Sequence, residues 1–244
     1  MDIVFFQDCS KVPEIDELLE YEETIICVSE RISPSIVLKN YKKGFFPWEN
    51  TENFVFWWNP NPRAFMNSDQ VIMHKSMRPY FNQVKFRLKI DYSFTQVIEK
   101  AQKRHIQVHG DTWISQQIIK VYTQLHNLGY AHSIEAWQDN ELVGGLYGIS
   151  LGRFFFGETM FSLRPNASKF TFIALGYLLK QNNIDFIDCQ ISNAHLSFMG
   201  CREVKRNEFL KLLKENIKHK TLKGNWSRLL KIPKKLKNHF VDDS

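Results

Sequence analysis

Apolar residues dominate the stretch 142–190, and their spacing predicts a strand, a second strand, a helix and a third strand in that order. The first two strands, residues 142–149 and 154–161, are two mostly apolar runs joined by a short turn. The apolar residues then recur every three or four positions, which is the period of a helix, and Asn166 is predicted to cap it. Residues 184–190 have the length and composition of a central strand.

The rest of the chain also alternates between helical and strand patterns. A short helix is predicted after the cap Ser33, with Pro34 in its first turn and an end near Gly44. An amphipathic helix ends at Leu128, and Gly129 follows as its C-terminal cap. The order predicts an α+β fold with an antiparallel meander. The other predicted strands are residues 24–28, 70–75, 86–92, 131–137 and 201–204, and the other predicted helices are residues 76–81, 94–103 and 207–219.

A domain boundary is predicted at residues 60–62, because two prolines so close together interrupt any regular element. Residues 1–62 would form a small N-terminal α/β domain. Residues 63–244 would form a larger domain that ends in a basic tail.

Polar residues interrupt two of the apolar strands. Side chains alternate along a strand, so Asp188 and Gln190 are predicted to share one face about 7 Å apart. A carboxylate buried in a strand needs a hydrogen-bond donor, and a neighbouring carboxamide can supply one. The pair is either a structural device at the end of a strand or part of a functional site, and the spacing alone allows both. Glu158, in a second apolar strand, favours the functional interpretation.

Three tryptophans, Trp48, Trp57 and Trp58, lie close together near the predicted boundary, among prolines and basic residues. Rings held in fixed positions can stack on nucleic-acid bases, and each such contact contributes roughly 1 to 3 kcal/mol. Tryptophans also pack at domain interfaces, because they bury a large apolar area. Both interpretations stay open.

The composition is that of a globular protein of 244 residues and 28.9 kDa. No run of 18 apolar residues and no signal-peptide pattern occurs, so the protein is predicted to be cytoplasmic and not to enter a membrane. The four cysteines, Cys9, Cys27, Cys189 and Cys201, show no CxxC spacing. This argues against a zinc site and against a disulfide framework, and we expect reduced thiols and no metal.

Positive charge is concentrated at the C-terminal end. Residues 1–201 carry 19 Lys and Arg against 21 Asp and Glu, whereas residues 202–244 carry 13 against 5. Such a segment suits contact with a phosphate backbone, although a solvated basic tail has the same composition.

Eight short motifs, in the same order, resemble the bacterial leucyl/phenylalanyl-tRNA-protein transferases over residues 33–213. At a few positions the chain differs from the residues that the family usually has, for example with Asn59 and Asn61 where Ser and Asp are common. The motifs are Tyr41-x-x-Gly44-x-Phe46-Pro47-Trp48, Trp57-Trp58-x-Pro60-x-Pro62-Arg63, Thr112-Trp113-Ile114, Ala131-His132-Ser133, Leu142-Val143-Gly144-Gly145-Leu146-Tyr147-Gly148, Gly157-Glu158-x-Met160-Phe161-Ser162, Ala167-Ser168-Lys169 and Ile187-Asp188-Cys189-Gln190.

The resemblance implies a GNAT-like acyltransferase domain with a mixed, largely antiparallel sheet after the small N-terminal domain. It also implies an activity, the transfer of Leu, and less readily Phe or Met, from aminoacyl-tRNA to proteins that begin with Arg or Lys. In the family this transfer marks the acceptor for N-degron-dependent degradation. Aminoacyl-tRNA is a substrate, so no cofactor is expected, and a monomer is expected.

The resemblance also suggests roles for individual residues. Asp188 and Gln190 would be catalytic, with Gln190 orienting the attacking amine and Asp188 polarising or fixing Gln190, or finally accepting the proton. Glu158 and Asn193 would bind the acceptor, although Glu158 has the alternative of bonding the donor's amino group. Trp48 and Trp113 would stack on the tRNA's terminal adenosine. The donor side chain would enter an apolar pocket, whose members are equally suited to an ordinary core: Leu146, Phe155, Gly157, Met160, Phe172 and Ile187.

Two other functions compete with this one. An acetyl-CoA-dependent GNAT enzyme needs a glycine-rich turn for the pyrophosphate, but the turn at residues 162–167 lacks paired glycines and loses a donor at Pro165. A non-catalytic adaptor that recognises basic N-termini or tRNA ends would not need both Asp188 and Gln190.

Overall fold

The computed structural model describes residue 15 and residues 24–48 and 54–241, so Cys9 and part of the predicted N-terminal domain lie outside the described residues. The described strands are β1 (Ile25–Ser29), β2 (Phe46–Trp48), β3 (Val55–Trp58), β4 (Arg63–Asn67), β5 (Arg87–Ile90), β6 (Ala131–Gln138), β7 (Glu141–Leu151), β8 (Phe154–Ser162), β9 (Phe186–Gln190) and β10 (Arg202–Val204). The described helices are α1 (Pro34–Lys42), α2 (Arg78–Asn82), α3 (Phe94–His109), α4 (Gln116–Asn127), α5 (Ala167–Gln181), α6 (Ala194–Phe198), α7 (Arg206–Asn216) and α8 (Trp226–Leu229).

A seven-stranded mixed sheet is the larger of two sheets, with the strand order β10-β4-β9-β8-β7-β6-β5. Every neighbouring pair is antiparallel except β8 and β9. That pair is parallel because α5 carries the chain back across the sheet between the two strands, as a parallel pair requires. The predicted α+β class with a mixed, mostly antiparallel sheet is therefore confirmed.

The smaller sheet has three antiparallel strands in the order β1-β3-β2. Between β1 and β2 lies α1, which begins as predicted. The Ser33 side chain accepts a hydrogen bond from the Ile36 backbone N–H at 3.4 Å, and Pro34 occupies the first turn. The helix ends before Gly44, whose φ of +87° suits glycine.

Two hydrophobic clusters cover the two faces of the large sheet. One joins the small sheet to α1, α3, α4 and α7 and contains Trp57, Phe65 and Phe209. The other lies between the sheet, α5 and the C-terminal segment and contains Phe155 and Phe170. The first cluster contains residues from both sides of residues 60–62. The domain boundary there stays a prediction.

The strand predicted at residues 70–75 is wrong, and β4 lies just before it. Residues 68–70 and 75–77 form short 3₁₀ turns instead. The backbone N–H of Ile72 donates to the Met199 carbonyl, in a loop, at 3.0 Å. The pattern failed to indicate β4 because both of its faces are buried, so its side chains do not alternate, and it begins with an arginine.

Two helix predictions need correction. Helix α3 continues to His109, six residues beyond the predicted end, and Gly110 closes it with φ +82°. Helix α5 begins after Asn166 as predicted, but Asn166 adopts a left-handed conformation and its side chain does not cap the helix. That side chain donates to the Tyr80 hydroxyl at 2.9 Å instead.

The basic C-terminal segment is ordered and folds back onto the sheet through residue 241. Trp226 is fully buried and its ring stacks on His132 with 3.8 Å between ring centroids. The Trp226 backbone N–H donates to the buried Asp91 carboxylate at 2.8 Å, and the same carboxylate bonds His132 Nδ1 at 2.9 Å. Further along, Phe240 pairs with Leu88 of β5. Within the described ranges, no helix is long and apolar enough to span a membrane.

We expect Trp226→Ala to lower the free energy of unfolding by about 3 to 5 kcal/mol, because it removes a fully buried ring from a packed core. Urea denaturation measures the change. The matched control Arg228→Ala alters an exposed residue of the same short helix and should change stability by no more than about 0.5 kcal/mol. If Trp226→Ala were as harmless as the control, the segment would not be packed as described.

Candidate active site

A cavity of about 280 Å³ opens beside the centre of the large sheet. It is lined by eleven of the twelve residues that the sequence predicts for the functional site, and Trp113 is the one that does not line it. The eleven are Trp48, Leu146, Phe155, Gly157, Glu158, Met160, Phe172, Ile187, Asp188, Gln190 and Asn193.

An ion pair between Arg63 of β4 and Asp188 of β9 lies against this cavity. The Arg63 Nε and Nη2 atoms donate to the two Asp188 carboxylate oxygens at 2.8 and 2.6 Å, and both side chains are fully buried. The guanidinium lies 4.7 Å from the Phe46 ring centroid and 4.6 Å from that of Phe209. Asp188 is therefore a compensated charge with a bidentate partner.

Gln190 lies at the end of β9 with its backbone in the left-handed region, at φ +63°. Its backbone N–H donates to Asp188 Oδ1 at 2.9 Å. Its side-chain Nε2 turns to Glu158 Oε1 at 3.4 Å. The expected bond between the Gln190 carboxamide and Asp188 is therefore wrong, because the positive φ ends the alternation of side chains. Asp188 contacts Gln190 through the backbone, and so holds a conformation that non-glycine residues rarely adopt.

Glu158 points into the cavity because of a β-bulge. In the pairing of β7 with β8, Tyr147 lies opposite Thr159 and Gly148 lies opposite Gly157, which leaves Glu158 as the extra residue. A bulge of this kind re-aims a side chain. It also accounts for a glycine at 148, where a Cβ atom would lie 2.2 Å from the Phe156 carbonyl oxygen.

Two buried tyrosines hold the Glu158 carboxylate. The Tyr41 hydroxyl donates to Oε1, and the Tyr122 hydroxyl donates to Oε2 at 3.0 Å. The pKa of Glu158 is raised to about 8, chiefly by burial and also by the negative charge of Asp188, against the lowering effect of the two tyrosine hydrogen bonds and of the Arg63 charge. Glu158 is therefore mostly protonated at pH 7, although Asp188 shares the cavity.

The apolar part of the cavity lies beside these carboxylates. Leu146, Phe155, Phe172 and Ile187 are nearly or fully buried and belong to the core, yet they also line the cavity. A Cβ atom on Gly157 would meet only the Asp188 carbonyl oxygen, at 3.5 Å, so this glycine keeps space open. These residues therefore belong to the core and line the cavity at the same time, and their role as a donor pocket stays a prediction.

Trp48, Trp113 and Asn193 differ in how they relate to the cavity. Trp48 lines it, and its ring makes an edge contact with Trp58 at 4.9 Å. Trp113 is partly buried against the core, in the loop between α3 and α4. Asn193 lines the cavity, but its Oδ1 atom accepts the Leu196 N–H at 2.9 Å and so caps α6.

Comparison with known proteins identifies the family. The model of the family described as leucyl/phenylalanyl-tRNA protein transferase matches residues 65–214. The chain belongs to this family. The leucyl/phenylalanyl-tRNA–protein transferase of Syntrophus aciditrophicus is 38% identical over 91% of this chain and 92% of its own length. The protein of the same name from Flavobacterium johnsoniae is 43% identical over 79% of this chain and 91% of its own length.

Likeness to solved structures is much weaker. The structure of L-PGS from Bacillus licheniformis is similar with a TM-score of 0.35 and 10% identity, over 69% of this chain and 54% of that chain. At this level the likeness carries no argument about fold or function.

Several residues of the site were not among the predicted ones. Arg63 and Tyr41 lie inside two of the family motifs, so a search for the partners of Asp188 and Glu158 could have found them. Tyr122 carries no such signal, because it is one apolar position among several on the amphipathic α4. His195 also lines the cavity, and nothing in the sequence distinguishes it from a structural histidine.

The pKa of Glu158 gives a testable effect on stability. The folded protein binds a proton there up to about pH 8, whereas the unfolded chain loses it near pH 4.5. The contribution of Glu158 is thus fully present below pH 4.5 and is lost as the pH rises through 8. From pH 5 to pH 9, we expect the stability of Glu158→Gln to rise relative to the unsubstituted protein by on the order of 2 to 5 kcal/mol.

Urea denaturation of both proteins at each pH gives this difference. The control Glu141→Gln, at an exposed position of β7, should follow the unsubstituted protein at every pH. If the difference in the free energy of unfolding between Glu158→Gln and the unsubstituted protein stayed constant with pH, the raised pKa of Glu158 would be contradicted.

Proposed function

We propose that this protein transfers leucine, and less readily phenylalanine or methionine, from aminoacyl-tRNA to the α-amine of proteins that begin with arginine or lysine. Membership of the transferase family over most of the chain is the observation that carries this proposal. The cavity supports it, since an apolar pocket lies beside a carboxyl group and a carboxamide. The product would be marked for N-degron-dependent degradation.

The reaction needs positioning more than acid and base catalysis. The neutral α-amine attacks the ester carbonyl, the C–N bond forms, the bond to the ribose oxygen breaks, and the amine proton passes to that oxygen. An α-amine with a pKa of about 7.7 to 8.0 is already roughly 10 to 20% neutral at pH 7. Holding amine and ester in contact supplies up to about 7 to 11 kcal/mol of the barrier.

Gln190 is proposed to orient the attacking amine with its carboxamide. Asp188 is proposed to act as a positioning residue, because it is paired with Arg63 and bonded to the Gln190 backbone N–H. This contact replaces the polarising contact expected from the sequence.

Glu158 is proposed to recognise the cationic side chain of the acceptor. A carboxyl group with a pKa of about 8 releases its proton when a cation comes beside it, and the two then form a charge-assisted pair. Asn193, which lines the same cavity, is proposed to assist. Bonding of Glu158 to the donor's amino group remains the alternative role for the same carboxyl group.

The donor is proposed to insert its apolar side chain among Leu146, Phe155, Gly157, Met160, Phe172 and Ile187. Trp48 and Trp113 would stack on the terminal adenosine, and the basic residues after Arg202 would face the acceptor-stem phosphates. We further propose a cytoplasmic monomer with a GNAT-like larger domain. It needs no cofactor, because the donor ester is already activated.

Transfer of radiolabelled leucine tests the proposal. Leu-tRNA is incubated with the protein and with a model acceptor that begins with Arg, beside the same acceptor beginning with Met. We expect label on the Arg acceptor alone, because only its side chain can pair with a carboxylate. Free leucine without tRNA is the control and should give none. Absence of label despite tRNA binding would refute the proposed donor or leave only an adaptor role.

The different roles of Gln190 and Asp188 predict different mutant behaviour. Gln190→Ala should slow transfer by about 100-fold with little loss of stability, because only the orientation of the amine is affected. Asp188→Ala should lower the free energy of unfolding by about 3 to 5 kcal/mol, because the buried Arg63 loses its partner. Single-turnover transfer and urea denaturation measure the two effects. Near-normal transfer by both variants, with folding intact, would rule out this mechanism.

A further inference from the structure

A second cavity, of about 300 Å³, adjoins the first one. Thr159, Met160 and His195 line both. The two cavities are therefore neighbours across the end of β8 and the start of α6. A substrate that reacts in the first cavity can extend into the second.

One face of α3 forms a wall of this second cavity. Ala101, Arg104, His105, Val108 and His109 line it, and their spacing of three and four residues is that of a single helical face. The His105 and His109 rings lie 4.5 Å apart. Arg104 makes no salt bridge with any carboxylate in the described part of the chain.

The rest of the lining includes polar residues but no acid. Ser162 and Ser168 line the cavity, and no aspartate or glutamate is among the lining residues. The Ser162 hydroxyl is occupied, since it donates to the Arg164 carbonyl at 2.8 Å and accepts the Ser168 N–H at 3.2 Å. His195 Nε2 is buried without a hydrogen-bond partner among the described residues. Burial and the positive charge of Lys169 lower the pKa of His195.

This chemistry favours an anion over the other ligands that could enter. The described residues include no group of three His, Cys, Asp or Glu that could hold a metal ion. An acceptor that begins with Arg or Lys would bring a cation toward Arg104, which is unfavourable. The donor instead continues from its terminal adenosine through a phosphodiester, and arginine binds phosphate with two parallel hydrogen bonds.

We propose that the second cavity binds the phosphodiester on the 5′ side of the donor's terminal adenosine, with Arg104 as the main contact and His105 and His109 beside it. This inference rests on the proposed function. It fits the position of Trp113, because His105 Nδ1 bonds the Asp111 carbonyl at 2.9 Å, two residues before that ring. Aromatic stacking beside a positive groove is how proteins commonly hold single-stranded nucleic acid.

Two minimal donors test this assignment. Leucyl-adenosine has no phosphate, and the leucyl ester of the dinucleotide CpA has this one phosphodiester. We expect the unsubstituted protein to have a kcat/KM at least about tenfold higher for leucyl-CpA than for leucyl-adenosine, as a hydrogen bond to a charged group allows. In Arg104→Gln the two values should become nearly equal, through a higher KM for leucyl-CpA. Arg104→Lys should recover part of the difference.

The matched control is Lys103→Gln, which removes the same charge from the neighbouring exposed position of α3, away from the cavity. It should leave the preference for leucyl-CpA unchanged. With Leu-tRNA, Arg104→Gln should also reduce the slope of log affinity against log salt by about 1.

Other results would overturn the inference. An equal kcat/KM for both minimal donors in the unsubstituted protein would do so, as would a preference that survives in Arg104→Gln. If Arg104→Gln lowered kcat/KM equally for both donors, Arg104 would support the folded structure and would not contact the phosphodiester. If the unsubstituted protein used neither minimal donor nor Leu-tRNA, the proposed function itself would be wrong. Transfer from Leu-tRNA alone would mean that contacts beyond this phosphodiester determine donor binding, which also overturns the assignment.

Discussion

The buried ion pair between Arg63 and Asp188 is the contact on which the site depends. It joins β4 to β9, the second and third strands of the large sheet, and two phenylalanine rings enclose the guanidinium. A buried pair of this kind adds little net stability, because both ions lose their hydration. Its effect here is geometric. Asp188 also holds the Gln190 backbone in a left-handed conformation, which turns the Gln190 side chain toward Glu158.

The cavity thus contains two carboxyl groups in different environments. Asp188 has a cation and a backbone donor, whereas the hydrogen-bond partners of Glu158 among the described residues are the hydroxyls of Tyr41 and Tyr122 and, more weakly, the Gln190 carboxamide. Burial raises the pKa of Glu158 to about 8, and the Asp188 charge adds to the effect. Two carboxyl groups in such different environments commonly take different roles in one site. Asp188, whose charge is compensated by Arg63, is suited to hold its neighbours in place. Glu158, which is mostly neutral at pH 7, is suited to a site that a cation enters.

Strand β8 separates the regions that the substrates would occupy. Its bulge lets consecutive residues face the cavity, so that Gly157, Glu158 and Met160 all line it although a regular strand would turn alternate residues away. The far end of the strand reaches the cavity under α3. One strand can therefore contact the apolar side chain, the cationic group and the anionic group of a bound pair of substrates.

Much of this protein could be predicted from its sequence alone. The pattern identified the central strands, α5 and the helix capped by Ser33, because the apolar runs of the strands are long, the apolar residues of α5 recur at helical spacing, and Ser33 marks a helix start. Eleven of the twelve predicted site residues line one cavity. Polar interruptions in apolar strands are costly and marked Glu158, Asp188 and Gln190, and the family resemblance supplied the other eight. The sequence could not indicate β4, since both of its faces are buried, nor the partners of the carboxyl groups. Arg63 lies 125 residues from Asp188, and Tyr122 lies 36 residues from Glu158. Only the tertiary structure decided those contacts, because a pattern along the chain records which residues are buried and leaves open which of them meet.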